Sequence, residues 1–97
     1  MSDNRALIEE IAARTQEAVE LARQRVIREE PGRRRDWYNL LATNLEGYRA
    51  ALLDGKLPAP GAGIGWGAIR ALDDWGLNDR EMTAAVEAAE GLYRDSQ

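Results

Sequence analysis

The segment with the clearest chemical potential is an uncharged, glycine-rich stretch, LPAPGAGIGWGAI, which runs from Leu57 to Ile69. Glycine stands at positions 61, 63, 65 and 67. Each glycine destabilises a helix or a strand by about 0.5–1 kcal/mol relative to alanine, so this stretch is predicted to be a shaped loop. A loop of this length in a small domain is more often functional than not.

One chemistry open to this loop is anion binding. Backbone N–H groups at the start of a helix lie at the positive end of the helix dipole, which suits phosphate or carboxylate. Gly63, Gly65 and Gly67 would supply these groups, with Arg70 as counter-charge. The glycines also fit the G-x-G-x-x-G/A dinucleotide pattern, but that fingerprint requires a preceding strand, and Lys56 instead follows a predicted helix.

Two other roles for the loop are open. In the structural one, small residues let the chain lie flat against the helices while Ile64 and Trp66 insert into the core. In the other, the loop contacts a partner protein through Ile64, Trp66 and Arg70. Trp66 is the expected anchor, because it stands among glycines where little of its own chain can cover it, and Trp and Arg are frequent interface hot spots.

The composition excludes several kinds of catalysis. The chain has no cysteine and no histidine, which excludes disulfides, thiol nucleophiles, the usual zinc sites and imidazole proton transfer. Paired carboxylates can hold Mg²⁺ or transfer protons, and four of them surround one turn: Asp73, Asp74, Asp79 and Glu81. We interpret these four as surface charges, and we predict no catalytic residue, no metal site and no cofactor.

A basic cluster lies around the first predicted interhelical turn, with Arg28, Arg33, Arg34 and Arg35 as its centre. Arginines beside Trp37 could follow a nucleic-acid backbone. The whole chain, however, has a net charge of −4, whereas nucleic-acid-binding domains are usually basic. We therefore favour a solvated turn with local ion pairs, keep an acidic protein partner as the alternative, and expect neither nucleic-acid binding nor membrane association.

The rest of the chain predicts a single all-α domain spanning residues 1–97. Apolar residues recur at spacings of three and four, and turn signals divide them into helices of about 4–29, 34–54, 67–75 and 79–94, with the loop at 55–66. Asn78 is predicted to cap the fourth helix, with Glu81 completing a capping box. The expected architecture is a small irregular or orthogonal bundle of three long helices and one short helix.

The first predicted helix gives the argument for self-association. At about 1.5 Å per residue it would be about 39 Å long. A compact domain of this size should have a radius of gyration of about 13 Å, so the helix is expected to extend beyond its own domain. A second copy could cover the excess, and we therefore predict a homodimer, a complex with another protein, or both.

These observations favour a non-catalytic protein–protein interaction module that acts through a helical dimer surface and the glycine-rich loop. Twelve arginines to one lysine, with abundant alanine, are typical of GC-rich bacterial genomes. Without a signal sequence or a membrane span, we expect a soluble, cytoplasmic bacterial regulator or inhibitor, of the antitoxin or immunity type. The alternative is a small anion- or nucleotide-binding protein that uses the loop and the N-terminus of the third helix.

Overall fold

The computed structural model describes residues 4–95, which form four α-helices and no strand. The helices are α1 (Asn4–Arg28), α2 (Arg33–Leu53), α3 (Ala68–Trp75) and α4 (Arg80–Asp95). This confirms the predicted all-α class. Within residues 4–95, none of the helices has both the length and the apolar character needed to cross a membrane.

Helices α1 and α2 form an antiparallel hairpin. Pro31 and Gly32 separate them, because proline disfavours the α conformation of the residue before it. An ion pair joins Arg23 to Glu46, and further along the hairpin the Arg49 Nε donates to the Ala12 carbonyl at 3.1 Å. The buried face of α1 follows the predicted periodicity and consists of Ile11, Ala12, Thr15, Ala18, Val19 and Ala22.

The four helices contact one another in a ring. Helix α1 packs against α2 and α4, and α3 packs against the same two helices from the opposite side. Across residues 4–95, no close backbone contact joins α2 directly to α4. Helix α3 therefore fills the space between them, and its Leu72 is buried in one core with Leu45 of α2 and Val86 of α4.

The all-α fold is elongated rather than spherical, with extents of 49 × 20 × 20 Å and a radius of gyration of 13.4 Å. The expectation that α1 extends beyond its domain is wrong for this reason. Helix α2, of 21 residues, runs beside the 25 residues of α1 and packs against that helix within the same chain. The predicted homodimer consequently no longer follows from the length of α1.

The start of α4 also differs from the prediction. The N-cap is Asp79, whose Oδ1 accepts a hydrogen bond from the backbone N–H of Met82 at 3.0 Å. Asn78 instead adopts a left-handed conformation with φ 53° and turns the chain before the cap. Both residue types cap helices well, and asparagine also tolerates the left-handed region, so the sequence alone left their order ambiguous.

Candidate functional site

A buried carboxylate of α4 caps the N-terminus of α3. Glu90 is only 3% exposed. Its Oε2 accepts hydrogen bonds from the backbone N–H groups of Trp66 (3.0 Å) and Gly67 (3.2 Å). Its Oε1 accepts from those of Ala68 (3.0 Å) and Ile69 (3.1 Å). These amides lie at the start of α3, where the helix dipole favours a negative charge, and an internal carboxylate occupies them. Of the three glycines predicted to supply an anion site, only Gly67 donates to this carboxylate.

Two glycines of the loop make this cap geometrically feasible. A Cβ atom on Gly65 would overlap the Oε2 of Glu90. Gly67 precedes α3 with φ 81°, a left-handed conformation that side chains other than glycine rarely adopt. The loop therefore needs glycine at 65 for space and at 67 for backbone conformation.

The loop is also fastened to the last turn of α4. The N–H of Gly61 donates to the Tyr93 carbonyl at 2.8 Å, and the N–H of Gly63 donates to the Arg94 carbonyl at 3.0 Å. The Tyr93 hydroxyl donates in turn to the Pro58 carbonyl at 2.7 Å. The last carbonyls of a helix have no partner within it, so the loop caps α4 while α4 caps α3.

Trp66 is not the uncovered residue that the sequence suggested. Its indole stacks between two tyrosines, with ring centroids 5.3 Å from Tyr48 and 5.1 Å from Tyr93. The Tyr48 hydroxyl also donates to the Trp66 carbonyl at 2.9 Å. The expectation of little cover is wrong, because the glycines bend the loop back so that α2 and α4 enclose the indole.

Ile64 and Arg70 are the accessible members of the predicted partner surface. Ile64 is 56% exposed; its neighbour Gly63 is bonded to α4, and its neighbour Gly65 lies close to the Glu90 carboxylate. The side chain of Arg70 is 87% exposed and lies 3.9 Å from Asp74, the loosest ion pair described in residues 4–95. Ile64 thus presents an apolar side chain at the tip of the loop, which we call the loop apex. Arg70 presents a positive charge on the outer face of α3.

A polar groove of about 510 Å³ separates α3 from α4. Its walls include Ile69, Arg70 and Asp73 from α3, and Thr83 and Arg94 from α4. Arg94 pairs with Asp95 at 2.9 Å and with Glu87 at 3.4 Å. Basic and acidic side chains both line this groove, so it has no uniform charge that would select an anion.

The amides proposed for anion binding are largely in use. The N–H of Gly63 bonds to the Arg94 carbonyl and the N–H of Gly67 bonds to Glu90. An external phosphate or nucleotide at the start of α3 would have to displace the Glu90 carboxylate from its four donors.

A second carboxylate, which is largely shielded from solvent, lies at the opposite end of α4. The Oδ2 of Asp79 accepts from the Arg25 Nε at 2.8 Å and from the Tyr38 hydroxyl at 2.7 Å. Burial raises the pKa of Asp79, but hydrogen bonds from Arg25, Tyr38 and a backbone amide outweigh burial and lower it to about 2. Burial, followed by the hydrogen bond to Asp79, raises the pKa of Tyr38 to about 12. This network fastens α4 to α1 and α2.

The four predicted surface carboxylates have different surroundings. Asp73, Asp74 and Glu81 are exposed, whereas Asp79 is largely buried, so describing it as a surface charge was wrong. The reason is that α1 and α2 place Arg25 and Tyr38 directly against the first turn of α4. Residues 4–95 contain no group of three or more acidic side chains arranged to hold a metal ion.

The predicted basic patch is divided by internal contacts. Arg34 bonds to Glu29 at 3.3 Å and to the Leu77 carbonyl at 3.1 Å, and the guanidinium of Arg33 lies 5.6 Å from the centre of the Trp37 ring. Arg28 and Arg35 form no ion pair within residues 4–95. The patch is therefore a partly neutralised turn.

Comparison with protein families, with curated proteins and with solved structures finds no match for this chain.

Sequence reasoning missed Glu90, the residue that organises the loop. Its signal was its position in α4, because it follows Met82 and Val86 at successive spacings of four, on the buried face. A carboxylate within an apolar stripe requires hydrogen-bond donors from elsewhere in the fold. The amides of a glycine-rich segment that opens a helix are suitable donors.

Proposed function

We propose that this protein is a non-catalytic protein–protein interaction module whose partner surface is the loop apex, with Ile64 as its apolar anchor. The observation that carries the proposal is the 56% exposure of Ile64 on a loop bonded to α4 on both sides of it. Arg70, on the exposed face of α3, would contribute a charged contact. Trp66 would act indirectly, by holding the loop against α2 and α4.

The fastened loop is suited to binding for an entropic reason. Association costs free energy when a flexible segment must be ordered, and a preorganised loop avoids much of this cost. Seven hydrogen bonds hold this loop and the start of α3 to α4, and an eighth holds the loop to α2. An exposed isoleucine at such a position can enter a partner's pocket without further ordering of the backbone.

The use of the buried carboxylates supports binding rather than catalysis. Glu90 is engaged by four backbone amides, and Asp79 is engaged by Arg25, Tyr38 and a backbone amide. A general base needs a lone pair directed at its substrate, and both groups direct theirs into the fold.

The partner class follows from charge. The chain has a net charge of −4, which favours association with a basic surface through long-range attraction. Small size and negative charge suit a cytoplasmic bacterial regulator or inhibitor, of the antitoxin or immunity type, that binds a basic surface.

Self-association through α1 is a further part of the proposal, supported by Ile27, which is 82% exposed near the end of that helix. A sedimentation mass near twice 10.8 kDa, lost in Ile27→Asp, would support it, and a monomeric wild type would contradict it.

The loop proposal is tested by affinity capture from a bacterial lysate with wild type, Ile64→Ala and Leu40→Ala. Leu40 is 45% exposed on α2 and serves as the matched control. The three proteins should first be shown to have equal melting temperatures. We expect one protein to be captured by wild type and Leu40→Ala and to be lost with Ile64→Ala. Capture that is unaffected by Ile64→Ala would place the interface elsewhere.

The anion-binding alternative makes a separate prediction. A ligand that binds the native state raises the melting temperature by mass action. Because Glu90 already occupies the amides, we expect millimolar phosphate or nucleotide to produce no shift beyond that of chloride at equal ionic strength. A ligand-specific rise would favour the alternative over the protein-contact proposal.

A further inference from the structure

Two of the charged side chains that line the polar groove between α3 and α4 are already engaged within the fold. Arg94 forms ion pairs with Glu87 and Asp95. The carboxylate of Glu90 accepts hydrogen bonds from four backbone amides. Neither side chain therefore offers an uncompensated charge to a ligand in the groove.

The other two charged side chains of the lining, Arg70 and Asp73, are available. Arg70 is held only loosely, because its 3.9 Å separation from Asp74 is too long for a hydrogen bond. The exposed carboxylate of Asp73 forms neither an ion pair nor a hydrogen bond within residues 4–95. Residues three apart lie on the same face of a helix, so the groove presents one cation and one anion side by side.

The neutral part of the lining completes a small-molecule site. Asn78 and Thr83 are exposed, and their side chains, which can each donate and accept, form no hydrogen bond among the described residues. Ile69 and Leu72 add apolar surface to the same wall. The volume of about 510 Å³ lies within the range of about 300–1,000 Å³ that is typical of ligand sites.

We propose that this groove binds a free α-amino acid with an uncharged polar side chain. The carboxylate of the amino acid pairs with Arg70, and its ammonium group pairs with Asp73. Its hydroxyl or amide side chain exchanges hydrogen bonds with Asn78 and Thr83. A zwitterion satisfies both available charges of the groove at once.

The same charges disfavour other small ligands. A simple anion that approached Arg70 would be repelled by Asp73 beside it. An amino acid with a charged side chain would bring a third charge into a groove where Arg94 and Glu90 are already compensated, and burying an unpaired charge is costly.

This site is separate from the loop apex, although Arg70 belongs to both proposals. Ile64→Ala should abolish partner capture and leave amino-acid binding unchanged, because Ile64 does not line the groove. Asp73→Asn should have the opposite pattern. Failure of one proposal can therefore be recognised without reference to the other.

Titration of the ¹⁵N-labelled full chain with serine, threonine, asparagine and glutamine tests the ligand class. We expect at least one of the four to produce saturable shifts in the amides of α3 and of the first turns of α4. The N-acetyl and carboxamide derivatives of that amino acid each lack one charge and should bind about tenfold more weakly. No saturable shift with any of the four at millimolar concentration, or undiminished binding of either derivative, would overturn the proposal.

Exposed substitutions test the residues assigned to the site. Arg70→Gln and Asp73→Asn should each weaken binding about tenfold, because each removes one charge-assisted contact. Asp74→Asn is the matched control, since Asp74 is an exposed neighbour outside the lining. It should retain or increase the affinity, because it removes the competitor for Arg70. With equal melting temperatures established first, equal losses in Asp73→Asn and Asp74→Asn would overturn the assignment.

Discussion

Each end of α4 has a carboxylate shielded from solvent, and the two carboxylates are held by different means. At the N-terminus, Asp79 is held by the side chains of Arg25 and Tyr38, which belong to α1 and α2. Near the C-terminus, Glu90 is held by four backbone amides of the loop and α3. The first arrangement joins long helices to each other, and the second joins a helix to a segment that has little structure of its own.

The two arrangements differ in the conformational entropy that folding must remove to form them. Fixing the Arg25 guanidinium restricts a long side chain, which costs up to about 2 kcal/mol of conformational entropy. The amides at the start of α3 are fixed by the backbone once the loop has formed, so Glu90 meets donors that are already aligned. We therefore expect the contact made by Glu90 to contribute more to stability than the contact made by Asp79.

The largest effect should come from Glu90→Gln. Glutamine keeps one acceptor oxygen but directs an NH₂ group at two backbone donors, which leaves those donors unpaired and removes the charge. We expect the free energy of unfolding to fall by about 3 kcal/mol, measured by urea denaturation. A loss below about 1 kcal/mol would show that the amides find other partners. It would also contradict the larger contribution to stability expected of Glu90 than of Asp79.

Asp79→Asn should cost less, about 2 kcal/mol in the same measurement. The asparagine oxygen can still accept from the Met82 amide, and Arg25 keeps its ion pair with Glu81. The comparison would be reversed if Asp79→Asn proved more damaging than Glu90→Gln.

Acid should weaken the Asp79 end of the molecule in a defined range. The folded pKa of Asp79, about 2, lies below its ordinary value of 3.8, so its contribution is complete above about pH 4 and is lost as the pH falls toward 2. The shift corresponds to about 2 kcal/mol. Unfolding free energies measured between pH 6 and pH 2 should therefore fall more steeply for wild type than for Asp79→Asn. Parallel curves would contradict the assignment.

Gly65→Ala should cost about 1–2 kcal/mol, because the added Cβ displaces the Glu90 carboxylate from its donors. This substitution tests steric fit alone, since Gly65 does not have a positive φ. In the Glu90→Gln background the same change should cost markedly less, and additive losses in a double-mutant cycle would separate Gly65 from the cap.

The smallest expected effect is a gain in stability rather than a loss. Gly47 lies on the exposed side of α2, and a Cβ there would meet nothing within 4 Å. Alanine has the higher helix propensity, so Gly47→Ala should stabilise the protein by about 0.5–1 kcal/mol, which a rise in melting temperature would reveal. Destabilisation would mean that this face of α2 has a role that the fold does not account for.

The sequence predicted the long helices well for a physical reason. The apolar spacing of α1 and α2 is a local signal, and Pro31 with Gly32 marks the turn between them. It predicted the overall shape poorly. Chain length gives an expected radius of gyration but not the longest dimension of the fold. The sequence therefore could not show that the fold is long enough to contain α1.

The candidate site was only partly accessible to sequence reasoning. Glycine content located the loop, but the residues that hold it are distant in the chain and act through backbone groups. The sequence predicts an uncovered Trp66, because the cover that Tyr48 and Tyr93 provide depends on tertiary packing. The sequence does not reveal the role of Glu90, because its four partners are backbone amides, which every residue except proline has.

The position of Glu90 in the chain has a consequence for folding during synthesis. It follows the amides it binds by 21 to 24 residues. A ribosome delivers α1 and α2 first, and their hairpin can begin to form while the glycine-rich segment is still without its carboxylate. That segment must wait, unanchored, until most of α4 has left the exit tunnel. Nascent chains carrying a C-terminal extension, stalled with residue 90 either inside or beyond the exit tunnel, should therefore differ sharply in protease cleavage between residues 57 and 67.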